Sequence, residues 1–304
     1  MNAIVETLER QLFATVDERA EQAVREARDA AAQGVDSVRF GTLISGLSRP
    51  LKPRPLGLSG ADLERAEGEL ADWTPERWNT LETARVLVIL AHPELASDDF
   101  QRALEDAFTY ADEGEQCALL KALPLAPLPE RFVWRVGEAC RSNMRTVFES
   151  AACDSPYAAE HFDDVAWKQA LLKSLFVGAP LWRIRGLDRR LSADLARVAL
   201  DYVEERRSAG RSVPHELWLC LGPHVDARAE ALLESELEGT DATRRAAVGF
   251  ALARAGRLER LEALAASETD PDAAELMRGA LAGRASQLEF RAFDEHPKLE
   301  PVRN

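Results

Sequence analysis

The chain has 304 residues, 46% of them hydrophobic, with a formal net charge of -14. That is enough apolar material for a substantial core, which excludes wholesale disorder, and the acidity argues against nucleic acid, whose phosphates need a concentrated basic surface. Ala, Leu, Glu and Arg dominate and alternating Val-, Ile- and Thr-rich runs are missing, so the composition favours helix over strand.

Helix punctuation recurs along the chain. Glu6 to Ala32 reads as one long amphipathic helix with Gly34 as its stop, and Val35 to Leu47 as a short second one. Pro50, Pro53, Pro55 and Gly57 make the next stretch an irregular connector. Thr74-Pro75 resembles an N-cap followed by proline in the first turn, opening a helix to Ala91. Ser97-Asp98-Asp99 opens another, ending near Ala111. Glu113 to Ala122 follows, stopped by Pro124, and Pro129 starts the next.

Phe132 to Ala152, if continuous, sets Asn143 among Val136, Ala139, Cys140 and Val147. Phe162 to Val177 is a further helix, and Ser192 caps Ala193 to Ser208, closed by Gly210. From Val225 the helices shorten: Asp226 to Leu237, Ala242 to Ala255, Leu258 to Ala266 and Asp272 to Ala282. Thr240 to Ala247 looks like the start of a HEAT-type repeat helix, and Asp270 to Gly283 like a degenerate second copy about 29 residues on, within the spacing of solenoid repeats. An ordinary helical bundle is the alternative for this part. The expectation is an all-α array of stacked antiparallel helices, with an N-terminal region over 1–112, a core over 113–223, HEAT-like helices over 224–283 and a polar tail over 284–304.

Targeting and membrane signals are not expected. The first six residues lack a basic segment before an apolar core, and the run Val86 to Ala91 is far short of the roughly 20 residues of a membrane span. Cys117, Cys140, Cys153 and Cys220 have no C-x-x-C spacing and read as reduced, mostly buried thiols of a cytoplasmic protein.

Catalytic templates fail. Gly41 and Gly46 have the glycine spacing of a phosphate loop, but Leu47 and Ser48 follow instead of Lys and Ser or Thr. There is no G-x-S-x-G elbow, no acidic residue three positions before any histidine, and no two histidines within one helical turn. Asp163-Asp164 suggests a metal-binding aspartate motif only superficially, since the next turn offers Trp167 and Lys168; Asp164 and Lys168 read as an i,i+4 surface pair. No catalytic residue, metal ligand or cofactor is assigned.

What remains is polar groups on apolar faces. On the helix Phe162 to Val177, one broad face carries Phe162, Val165, Ala166, Leu172, Phe176 and Val177, with Gln169 and Lys173 in its middle; Trp167, Leu171 and Leu175 form a second stripe. Arg206 continues the stripe Leu195, Val198, Ala199 and Tyr202. Buried groups of this kind need partners, because an unpaired neutral polar group alone costs roughly 2–7 kcal/mol. Asn143, Gln169, Lys173 and Arg206 are read either as a structural network or as a ligand or partner site, with Asp188 the nearest candidate counter-charge and Arg206 also able to snorkel from its helix end.

The same region resembles the EboA family, named for the first protein of the bacterial ebo gene cluster. The resemblance runs through Glu115 to Pro124, Cys140 to Asn143, Val147 to Glu149, Ser155 to Ala158, Phe162 to Asp164 and Leu172 to Gly178. It continues through Ile184 to Arg190, Leu195 to Arg197, Asp201-Tyr202, Glu205-Arg206, Ala209 to Arg211, Val213 to Trp218 and Gly222-Pro223. Gln169, Lys173, Asp188 and Arg206 match. Ser155 and Lys168 stand where the family's pattern carries asparagine, Ala158 where it carries proline, and Arg207 where it carries an aromatic.

The resemblance implies an all-helical, HEAT-like accessory protein. Its cluster also encodes a membrane prenyltransferase-like protein, a metal-dependent hydrolase-like protein and sugar-metabolism-like enzymes, and is linked in some bacteria to making or exporting a small-molecule metabolite. The functional expectation is a non-catalytic scaffold or binding protein partnered by other ebo-cluster proteins. The alternative is an enzyme or carrier acting on an anionic small molecule such as a prenyl or sugar phosphate, with Lys173 and Arg206 neutralising it and Gln169 and Asn143 orienting it.

Overall fold

The structure, a computed structural model, describes residues 2–238 and 240–295. Among them there is no strand, only an isolated bridge between Pro55 and Asn79; the fold is all-α. The chain divides into two compact units, residues 1–162 and 163–304, at a point inside the segment 113–223 that the sequence groups together.

Unit 1 contains α1 (Asn2–Thr15), α2 (Glu18–Ala32), α3 (Ser37–Gly46), α4 (Gly60–Glu69) and α5 (Thr80–Leu90). It continues with α6 (Asp98–Tyr110), α7 (Glu113–Ala122), α8 (Val133–Ala139), α9 (Arg145–Ala152) and α10 (Tyr157–His161). Its core helix is α5, buried from Thr83 to Ile89 and packed by α1, α2, α3 and α7. A helix apolar on nearly every side is stable only when enclosed. Its one deep charge, Arg85, is 2% exposed.

Local hydrogen bonding sets several boundaries that hydrophobic spacing misses. The expected helix from Glu6 to Ala32 is two helices, because the Asp17 carboxylate accepts the amide of Ala20 at 2.8 Å and starts α2 afresh. The helix expected from Thr74-Pro75 begins later. Asn79 caps it, accepting from Glu82 N while the Glu82 carboxylate accepts from Asn79 N, a reciprocal box that satisfies both amides. Phe132 to Ala152 is interrupted after α8, with α9 beginning only at Arg145.

Unit 2 contains α11 (Asp164–Val177), α12 (Ala193–Ser208), α13 (Ala227–Leu237), α14 (Ala242–Arg254), α15 (Leu258–Ser267), α16 (Pro271–Leu281) and α17 (Arg291–Glu295). Here α14 is central, packed by α13, α15, α16 and a 3-10 helix at His215–Cys220. Its Gly249 lets two neighbours close in: a Cβ there would lie 2.8 Å from Met277 Cγ and 3.1 Å from Leu261 Cδ1. The two repeat-like starts share a cap. Asp241 accepts the amides of Thr243 and Arg244, and Asp270 those of Asp272 and Ala273.

Part of the segment expected as a polar tail is folded. A 3-10 helix at Gln287–Phe290 leads into α17, and Phe290 and Phe293 stack 4.1 Å apart, each set edge-on to Phe250. Gln287 Nε2 donates to the carbonyls of Trp182 and Ile184 at 2.8 and 2.6 Å. Phe290 and Phe293, with only Arg291 and Ala292 between them, are thus apolar anchors that the polar composition of this segment does not reveal. Residues 296–304 lie outside the described part.

Candidate functional site

In α11 the covered face is the narrower stripe. Trp167, Ala170, Leu171, Ser174 and Leu175 are buried, while Val165 and Phe176 are 60% and 61% exposed. Gln169 is exposed and Lys173 half-buried. The face expected to pack inward therefore points outward. A helix apolar on two sides can be covered on one, and the side bearing Trp167, the largest ring, is the one enclosed. Lys173 Nζ rests 4.8 Å from the centroid of the Phe176 ring, a cation–π contact that orders both side chains. The result is an apolar strip, Val165, Leu172 and Phe176, flanked by an amide and an ammonium.

The other sequence candidates have different settings. Asn143 is exposed in the break between α8 and α9, because the helix that would have turned it inward ends at Ala139. Asp188 is tied within unit 2: Arg254 Nη2 lies 2.6 Å from Oδ1 and Gln287 N donates to Oδ2 at 2.8 Å. Arg206 is 6% exposed, so it does not snorkel. Its Nε donates to Ser212 O at 2.8 Å, its carbonyl accepts from Arg211 N, and Gly210 takes the left-handed φ of 66° that this helix end requires. Asp164 pairs with Arg190, and Lys168 with Asp194, rather than with each other.

The departures from the family pattern have readable consequences. Ser155 Oγ accepts the amide of Tyr157 at 3.2 Å, a bond an asparagine side chain could also accept. Tyr157 donates to Pro129 O, and burial pushes its phenol pKa up. Arg207 reaches Glu236, whose side chain is 3% exposed, and Leu232 O.

Sequence reasoning overlooked His215. It is 2% exposed with neither ring nitrogen hydrogen-bonded among the described residues, and burial lowers its pKa; Asp241, Arg244 and Glu236 are the charges around it. Enclosed in this way, the imidazole is almost wholly shielded from solvent. A histidine beside Pro214 and Glu216 carries no sequence signal for that burial. Among the described residues no group of three or more His, Cys, Asp or Glu side chains could hold a metal ion, and no helix is long and apolar enough to cross a membrane.

The outward face of α11 presents Val165, Leu172 and Phe176 beside the Gln169 amide and the Lys173 ammonium. No curated protein and no solved structure matches the chain. The family model described as metabolite traffic protein EboA matches residues 4–222, spanning the whole of unit 1 from Ile4 and the first helices of unit 2. The chain belongs to the EboA family.

Proposed function

We propose that this chain is a non-catalytic helical binding protein that serves a metabolite pathway in the cytoplasm by holding partner proteins encoded in the same cluster. The observation that carries the reading is the outward strip of α11, where Val165 and Phe176 are each about three-fifths exposed on one helix face. Large apolar side chains in register at i and i+11 suit a partner's apolar ridge. Gln169 and Lys173 beside them supply donors that fix its orientation, for an acidic or carbonyl-rich partner surface. The repeat-like helices α13 to α16 and the family's description as a metabolite traffic protein agree with a role in assembly or hand-over.

The test is affinity capture from a native host under mild crosslinking, with wild-type chain beside Phe176→Glu and Val165→Glu. Wild type is expected to recover other ebo-cluster proteins, and the two variants to lose them without a change in melting temperature. Recovery of no cluster protein by the wild type contradicts the reading. Turnover of a prenyl or sugar phosphate by the purified chain would favour the enzyme alternative.

A further inference from the structure

Unit 1 contains a cleft of about 570 Å³ between α3, α6 and α7. Small-molecule sites span roughly 300–1,000 Å³. Its origin is in the sequence. Ser37, Gly41 and Ser45 repeat every four residues along α3, and Ala107 on α6 and Ala111 just past its end add further small side chains, so both sides of the cleft are lined by small residues. The two helices are held together further away. Phe40 meets Phe100, in the first turn of α6, at 6.4 Å between ring centroids, and His92 contacts both rings. Near the other end of α6 no large residue fills the space, and a Cβ on Gly41 would meet nothing within 4 Å.

The lining is selective in charge. Ile44 and Leu119 are buried and form an apolar floor, and Val38, 82% exposed, adds an apolar edge. Two carboxylates line the cleft, Asp106 and Glu115, and no lysine or arginine does. Glu115 is already committed: Oε1 lies 3.4 Å from Arg85 Nη2 and Oε2 accepts the amide of Asp112 at 3.1 Å. The Asp106 carboxylate has neither a hydrogen bond nor an ion pair among the described residues. One turn further along α6, Tyr110 is 88% exposed and also lines the cleft. A carboxylate and an aromatic ring at i and i+4 over an apolar floor form a receptor for a cation carried on an apolar body. The cation against this lining, Arg85, is buried behind it and already bound to Ile44 O and Glu115, so an anion in the cleft would face the two carboxylates.

We propose that this cleft binds a small amphiphile with an apolar body and a protonated amine head, the body over Ile44 and Leu119 and the ammonium between Asp106 and Tyr110. The site is separate from the α11 strip, so the two readings stand or fall independently. It also assigns the opposite charge to the ligand from the anionic alternative raised by Lys173 and Arg206.

The probes are octylamine, octan-1-ol and octanoate, which share a chain and differ in head group, titrated into the full-length protein calorimetrically at pH 7. Octylamine is expected to bind at one saturable site, roughly fivefold more tightly than octan-1-ol, the scale of one partly exposed charge contact, with octanoate weakest. Gly41→Leu fills the cleft and should abolish binding of all three while circular dichroism stays helical and capture of partner proteins persists. Asp106→Asn, an exposed change that leaves the core untouched, should bring octylamine down to the level of octan-1-ol. Octanoate binding as tightly as octylamine, undiminished binding to Gly41→Leu, or no saturable binding of any probe overturns the proposal; the last outcome would leave the cleft as a contact surface for a protein side chain.

Discussion

Asp188 and Arg254, 66 residues apart in the chain, meet at 2.6 Å, and the arginine's other donors reach the carbonyls of Ala285 and Leu219 at 2.9 and 3.2 Å. With its side chain only 6% exposed, Arg254 is a buried cation whose charge is met by Asp188 and whose geometry is fixed by two chain segments. Asp188→Ala is therefore expected to destabilise the protein by about 2 kcal/mol in urea unfolding, since the guanidinium keeps its carbonyls but loses its counter-charge. Hydrogen exchange should rise most over residues 286–295, whose first turn Asp188 holds through Gln287 N.

Glu268 lies in a tighter pair. Its side chain is 1% exposed and bonds Arg245 through both oxygens, at 2.7 and 2.8 Å, while Oε1 also accepts the amides of Thr269 and Asp270. The Arg245 guanidinium above all, then the two amides, holds the carboxyl below the usual range. Its contribution is complete above the unfolded value of about 4.3 and is lost as pH falls through the lower folded value. Glu268→Gln should cost about 3 kcal/mol at pH 7. Thermal melts should show the gap to wild type narrowing below about pH 4.

His215 acts in a different pH window. Burial lowers its pKa, whereas the unfolded chain takes up the proton near the ordinary value of about 6.5. Below that pH the unfolded state binds a proton that the folded state refuses, so stability falls as pH drops from about 6.5 toward the depressed folded value. His215→Leu should remove that slope between pH 7 and 5 and leave the lower-pH carboxylate transition in place, as read by melting temperature against pH.

At Gly249 two effects compete. Alanine in a helix interior is favoured over glycine by roughly 0.8–1.0 kcal/mol. Its Cβ, however, would press on Met277 Cγ and Leu261 Cδ1, and overpacking a filled core costs about 1–3 kcal/mol. Since Met277 Cγ can move only by a χ1 change of a fully buried side chain, Gly249→Ala should be net destabilising by about 1 kcal/mol and Gly249→Val by more, measured by urea midpoint at unchanged slope.

Helix ends marked by a capping side chain next to a clear apolar run were readable in sequence, as at Ser97 and Ser192, because the capping oxygen and the amide that donates to it are local. Asn79 was missed because Thr74-Pro75 offered a competing start and the box with Glu82 was overlooked. The orientation of α11 was not readable. Periodicity defines two apolar faces on that helix but is silent about which one meets a neighbour. The same limit applies to Asp188: its partner Arg254 is set by tertiary packing, and nothing at either position in the chain points to the other. The cleft of unit 1 escaped notice for the opposite reason, since small residues on α3 and α6 read as ordinary helix formers until the facing helices leave space between them.

The clasp made by Gln287 separates two kinds of border. The match to the family model ends at residue 222, yet the carbonyls of Trp182 and Ile184 inside that span are satisfied by an amide more than a hundred positions downstream. A gene fragment trimmed at the limit of that match would leave those oxygens, and the indole that Asp294 receives at 2.9 Å, facing solvent or one another. The reach of the family match and the reach of the fold are thus drawn along different lines in this polypeptide, and any transplant of residues 4–222 has to carry Gln287 and Asp294 with it to keep those bonds.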